Sequence, residues 1–164
     1  MKNYYEYFVN KGNHPDRAVI LNQEKEYRFD DFCRYDAYLL AKLMIEQAYE
    51  NHQPMGLRIV FNGQLILQYI MDDLDVQNSL NWLLRKERIC YQTHHSSYYV
   101  FLKSITHACY NTYIQDERYA VCGGSFPIIM KDQFMGMITV TGRKPEEDHQ
   151  SIIDGLKRLK FYKG

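Results

Sequence analysis

Leu57-Arg58-Ile59-Val60-Phe61-Asn62-Gly63-Gln64-Leu65-Ile66-Leu67-Gln68-Tyr69-Ile70 reads as two β-rich runs joined by Asn-Gly. Both central residues of so tight a turn need positive φ, which Asn and Gly tolerate best, so the stretch predicts two adjacent antiparallel strands. Upstream, from Asp30 to His52, Phe32, Tyr35, Leu39, Leu43 and Met44 recur at helical spacing. Asp30 or Asp31 is expected to cap that helix, and Pro54 to stop it. Downstream, Asp75 to Tyr91 sets Leu80, Leu83, Leu84 and Ile89 against Arg85, Lys86, Glu87 and Arg88, the pattern of a second amphipathic helix. Ser96 or Ser97 is expected to cap a third through Tyr98, Phe101, Leu102, Ile105 and Cys109. The β-branched Val100, Ile105 and Thr106 leave a strand open there. Tyr119 to Met130 and Phe134 to Thr141 read as a second hairpin about Lys131-Asp132-Gln133. Pro145 suits a helical first turn, with Glu146, Glu147 and Asp148 at its positive end and Lys157, Arg158 and Lys160 near its negative end.

Helix, hairpin, helices, hairpin, helix, without β-α-β alternation, predicts an α/β (α+β) protein: a mainly antiparallel central sheet with helices packed on it. At 164 residues the chain is expected to hold one domain, residues 18–164, behind an N-terminal appendage, residues 1–17. Twenty basic and 20 acidic side chains cancel, so no strong field draws the chain to nucleic acid or anionic lipid, and neither partner is expected. Near-neutrality leaves little repulsion between copies, and 15 Tyr suit buried interfaces, so a homo-oligomer is expected. The longest stretches free of charge, Ile59 to Met71 and Ile89 to Leu102, fall short of the roughly 18 to 20 apolar residues that span a bilayer. Met1 to Arg17 lacks the apolar block of a signal peptide. Cys33, Cys90, Cys109 and Cys122 lie far apart without zinc-type spacing, which suits buried thiols in a reducing compartment, the cytoplasm by default.

None of the short signatures of dinucleotide, nucleotide, metalloprotease or serine-hydrolase sites is present. Four stretches carry candidate chemistry. In Ala120-Val121-Cys122-Gly123-Gly124-Ser125-Phe126-Pro127-Ile128, two glycines inside a β-like run mark a bulge or a close approach to the main chain. A small ligand against the amides of Gly123, Gly124 and Ser125 is one reading; a bulge needed for packing is the commoner one. In Lys144-Pro145-Glu146-Glu147-Asp148-His149, His149 beside Asp148 has the chemistry of a general base or a metal ligand, against the more frequent role of a packed or capping imidazole. Asn81-Trp82-Leu83-Leu84-Arg85-Lys86 joins the only Trp to adjacent cations that can stack on a flat ligand and neutralise carboxylates, or can be a core anchor beside a solvated face. His94-His95 point apart on a helix, a poor chelate, and Ser96-Ser97 read as caps.

Taken together, Gly123-Gly124-Ser125-Phe126-Pro127-Ile128, Gly136-Met137-Ile138-Thr139-Val140-Thr141-Gly142 and Asp148-His149 resemble the signature of the haem-degrading-domain superfamily, the HbpS-like and GlcG-like proteins. Asn81-Trp82, Arg85-Lys86 and Ser96-Ser97 are similar to its uncharacterised UPF-type branch. The resemblance runs from about Asp30 to Leu159. It implies a profilin-like sandwich with a five-stranded antiparallel sheet, symmetric oligomers, and in some members haem or corrinoid binding. Where the family usually carries Ser-Gly-Leu, this chain has Thr141-Gly142-Arg143, which sets a charge beside the expected pocket.

The leading expectation is a cytoplasmic, oligomeric protein that binds a small ligand without catalysis. Gly123, Gly124, Ser125, Asp148 and His149 are expected to line the pocket, with Trp82, Arg85 and Lys86 as a wall. Haem, another tetrapyrrole or a small organic acid is the expected ligand class. Two other expectations stand beside it: an assembly or adaptor protein acting through its aromatic surfaces, and an enzyme using His149 as general base oriented by Asp148.

Overall fold

The computed structural model describes residues 3–164. Strands β1 (Gly56–Phe61) and β2 (Gln64–Ile70) form the expected hairpin, with Asn62 and Gly63 at φ of 51° and 77°. The second hairpin, β3 (Ser125–Met130) and β4 (Gln133–Thr141), turns on Lys131 and Asp132, both at positive φ. β1 and β4 pair antiparallel, giving one sheet in the order β2-β1-β4-β3.

Four strands, not five, make up the sheet among the described residues. Beyond β3 there is only a single parallel bridge of Phe29 with Met130, tied by Phe29 N–H to Ile129 O and Lys131 N–H to Phe29 O. Nor does Tyr119–Gly124 extend β3. Largely buried, it meets its amide needs elsewhere: Ala120 N–H donates to Arg85 O and Val121 N–H to the Tyr4 hydroxyl. A β-rich composition records burial as much as strand pairing, and here burial is the cause.

Strand alternation divides the sheet into two faces. Leu57, Ile59, Phe126, Ile128, Ile138 and Val140 meet α3 (Arg34–Glu50) and α7 (Pro145–Lys163), which supply Leu40, Met44, Ile152, Leu156 and Leu159 to the main core. α4 (Val76–Thr93) covers the opposite face and places Lys86, Glu87 and Leu83 against it, Glu87 pairing with Arg58 of β1 at 3.1 Å. The helix periodicity was legible, and the boundaries shift slightly. α3 is capped at Cys33, not at Asp30 or Asp31, because Phe29 is held on β3 and Phe32 in the core, keeping that stretch out of the helix.

A second cluster lies outside the sandwich, where α2 (Arg17–Glu26) packs on α5 (Ser97–Thr106) around Ile20, Tyr98, Val100, Phe101 and Val121. Ser96 caps α5 as expected, accepting from Tyr99 N–H; Ser97 instead bonds across to Ser125. The expected appendage holds α1 (Asn3–Asn10), whose Tyr5, Phe8 and Val9 pack on this second cluster, with the Tyr5 hydroxyl 2.8 Å from Ser104 Oγ. No helix among the described residues is long and apolar enough to cross a membrane.

Candidate functional site

α4 and α7 approach the sheet from opposite sides and meet at one buried ion pair. Lys86 Nζ, from α4, donates to Asp148 Oδ2 at 2.9 Å and to Val140 O at 2.9 Å. Asp148 stands in the first turn of α7, and its second carboxylate oxygen accepts from Arg143 N–H at 3.1 Å. Burial raises its pKa from 3.8 to about 6, working against the pull of Lys86 and the Arg143 amide. Gly124 explains the glycine pair. Its φ is 130°, and a Cβ there would lie 2.6 Å from Val140 O and 2.7 Å from Lys86 Nζ. The group that approaches this main chain closely is therefore the protein's own lysine. Gly123 is similar, since a Cβ would meet Pro145 O at 2.6 Å.

These residues are brought together, yet several of them lie behind the surface. Ser125 is fully buried, its N–H donated to Ser97 Oγ and its hydroxyl 2.9 Å from Thr139 Oγ1. His149 is 2% exposed and packs between Tyr98 and Phe126, with Nε2 2.7 Å from Gln23 Oε1 and a buried Nδ1 that has no partner. Adjacent residues on a helix point about 100° apart, so Asp148 reaches Lys86 while His149 turns toward α2. The expected orientation of His149 by Asp148 is not assembled. His94 and His95 are also placed apart: His94 stacks on Phe134, and His95 Nδ1 lies 2.8 Å from Glu24.

An open cleft of about 280 Å³ lies beside the ion pair. Trp82 and Lys86 line it together with Leu74, Asp75, Asn78 and Ser79 at the start of α4, Phe8 of α1, Cys122, and the stretch Thr141-Gly142-Arg143 with Pro145. Asn78, Trp82 and Lys86 repeat every fourth residue and so share a helix face; that spacing was the available signal for Asn78. Phe8 had none, because nothing local ties it to α4. Arg85 does not line the cleft: it is buried under the rings of Tyr4 and Trp82 and donates to Tyr119 O. Burial pushes the Cys122 thiol up to about 11, keeping it a neutral thiol at the cleft floor.

Burial alone holds the His149 ring neutral, its pKa lowered from 6.5 to about 3. A buried neutral imidazole stabilises the fold fully above pH 6.5 and loses that contribution as the pH falls toward 3. Asp148 has the opposite sign, since its raised pKa favours the fold at low pH and the gain fades as pH rises through 6. Urea unfolding of His149→Phe beside wild type isolates the first effect. The stability of wild type relative to the variant is expected to fall by about 2 kcal/mol between pH 7 and pH 5. A pH-independent difference would mean that the ring is not buried and neutral.

Comparison with known proteins fits this architecture. The family model described as haem degrading protein HbpS-like matches residues 32–157. A UPF0303 protein of Psychromonas ingrahamii is 31% identical over 144 residues, covering 85% of this chain and 90% of the relative. Another, of Streptomyces coelicolor, is 29% identical over 149 residues, covering 88% and 94%. Among solved structures, the Ybr137w protein superposes with a TM-score of 0.78 at 23% identity over 97% of this chain and 95% of that one. The PduOC:heme complex gives 0.63 at 14% identity over 78% and 94%, and a double mutant of Streptomyces reticuli HbpS gives 0.64 at 18% over 78% and 86%. These structural likenesses establish the fold. The family match over most of the chain, together with the UPF0303 relatives, establishes more: the chain belongs to the HbpS-like haem degrading protein family.

Proposed function

We propose that this protein binds a small organic anion in the cleft beside Lys86 and Asp148, without converting it. The observation that carries this reading is one open cleft lined by Arg143 together with the apolar Trp82, Phe8 and Leu74, while the Asp75 carboxylate at its rim is engaged by the Asn78 N–H. Such a mixture of apolar wall and few polar groups is what a small-molecule site requires. Lys86 is neutralised by Asp148, whereas Arg143 reaches Glu147 only through contacts of 3.4 and 3.5 Å. An incoming carboxylate can take the Arg143 fork in Glu147's place. The absence of catalysis rests on His149, which is neutral, sealed from the cleft and unsupported by Asp148.

Haem enters from the family and from one structural relative, the PduOC:heme complex. The cleft residues do not fit an axially held haem. None is His, Met or Tyr, and Cys122 is a neutral thiol.

Trp82, the only tryptophan, reports on the cleft directly. Titration with butyrate, lactate and succinate is expected to give a saturable fluorescence change for at least one, weakened about 10-fold or more by Arg143→Gln. No saturation at millimolar concentrations, or binding indifferent to Arg143→Gln, removes the proposal. In a parallel haem titration at micromolar protein no Soret shift is expected from this cleft, and a shift would reinstate haem.

Self-association is the second reading, favoured by the free edge of β2. Gln64–Ile70 carries no charge, Leu65 and Tyr69 are exposed on it, and its outer edge is unpaired, whereas the β3 edge is covered by Phe29. An uncharged edge strand is a template for a second copy. Light scattering that gives a strict monomer would count against it. All four cysteines are free; Cys90 and Cys122 are buried as expected whereas Cys33 and Cys109 are exposed, and exposed unpaired thiols support a reducing, cytoplasmic setting.

A further inference from the structure

Arg85 is a buried cation whose charge nothing nearby balances. The residue is 7% exposed, and no carboxylate among the described residues reaches it within ion-pair distance. Among the described residues its one hydrogen-bond acceptor is Tyr119 O at 3.2 Å, and its buried Nε–H has no acceptor. Otherwise the guanidinium meets only π faces, lying 5.2 Å from the centre of the Tyr4 ring and 4.8 Å from that of Trp82. Cation–π contacts return a small part of what burying a charge costs, and neighbouring Lys86 shows how this fold balances a buried cation when it does so itself.

Tyr4, from α1, fills the space over Arg85. Its ring stands edge-on to Trp82 at 5.7 Å, and its hydroxyl accepts the Val121 N–H at 2.9 Å. Burial pushes its pKa up to about 12, so it stays a neutral phenol and brings no negative charge to the guanidinium. α1 has only eight residues, too few to hold a helix without its docking contacts, and it lies outside the matched family span of residues 32–157. A planar ring, with an oxygen on an amide that its release would free, beside an unbalanced cation, is the outline of an aromatic acid.

We propose that Trp82, Arg85 and the Val121 amide form a binding slot for an aryl carboxylate, and that Tyr4 on α1 is its built-in occupant. The slot adjoins the cleft through Trp82 and Phe8 but uses a different cation. When α1 swings away, the ring of the ligand takes the place of Tyr4, and its carboxylate accepts from Val121 N–H and Arg85. Access is thereby set by how firmly α1 is docked, since the free site is only fractionally populated in the closed chain.

The test uses the full chain and Trp82 fluorescence, with benzoate and its neutral counterpart benzamide as probes. Tyr4→Ala opens the slot, and benzoate is expected to bind this variant at least about 10-fold tighter than wild type and about 10-fold tighter than benzamide. Adding Arg85→Met is expected to abolish that preference; adding Arg143→Gln is expected to leave it intact. Equal binding of benzoate and benzamide would show a bare hole left by the lost ring, and would overturn the proposal. So would a gain in benzoate affinity from Tyr4→Ala that survives Arg85→Met. Loss with Arg143→Gln alone would assign benzoate to the cleft, overturning the slot while supporting small-anion binding beside Arg143. If Tyr4→Ala does not fold, Tyr4→Phe keeps the ring and deletes only the bond to Val121; benzoate is then expected to bind several-fold tighter than to wild type, and unchanged affinity overturns the proposal.

Discussion

Lys86→Met is expected to lower the unfolding free energy by about 3–5 kcal/mol, the usual cost of removing one partner of a buried ion pair. Both side chains are almost wholly inaccessible, 3% and 2% exposed, and the ammonium also satisfies Val140 O. Its loss strands a carboxylate and a carbonyl where water does not reach. Methionine matches the length of the lysine stem, so the change tests charge more than packing. Urea unfolding at pH 7 measures it, with an unchanged m-value showing that the same fold is being compared. Combining Lys86→Met with Asp148→Leu is expected to recover much of the loss, giving a coupling of about 1–3 kcal/mol. Single changes costing under about 1 kcal/mol would show that the pair is hydrated and that the cleft floor is not a rigid wall. Because Asp148 also accepts from Arg143 N–H, the same variant is expected to loosen the loop that carries Arg143.

Gly124→Ala is the second large effect, expected at about 3 kcal/mol or more. Two costs add: the strain of an alanine at φ 130°, and a methyl driven to 2.6 Å from Val140 O and 2.7 Å from Lys86 Nζ. Neither neighbour can give way easily, since one is strand backbone and the other half of the ion pair. Gly63→Ala is the matched control, with φ of 77° but nothing within 4 Å, and is expected to cost only about 1 kcal/mol. If the two variants unfold alike, the conformation of the backbone, and not the closeness of Lys86, is what requires glycine at position 124.

Together these variants recast the glycine pair. A glycine inside a β-like run admits two explanations, a ligand laid on bare amides or a crowded interior. Here the second accounts for Gly124, and the open space lies to one side of it, in the cleft lined by Trp82, Lys86 and Arg143. His149 moves inward for a related reason. Beside Asp148 in the chain it looks like half of a dyad, but helical geometry sends the two side chains to different neighbours, Gln23 and Lys86.

What the chain alone determined is its set of local elements. Asn62-Gly63 can serve few purposes other than a tight turn, Ser96 is a cap wherever a helix follows it, and Pro145 with three acids opens a helix in any context, because each acts on backbone within a few residues of itself. Tertiary structure alone decided which distant groups share a space. Lys86 and Asp148 lie 62 positions apart, Tyr4 and Val121 lie 117 apart; the first contact arises from α4 and α7 packing on one sheet and the second from α1 packing on the cluster outside it, geometries that no local pattern encodes. Charge balance and burial are properties of that shared space: Lys86 and Arg85 are neighbours in sequence and both cationic, yet one meets a carboxylate and the other aromatic rings and a carbonyl.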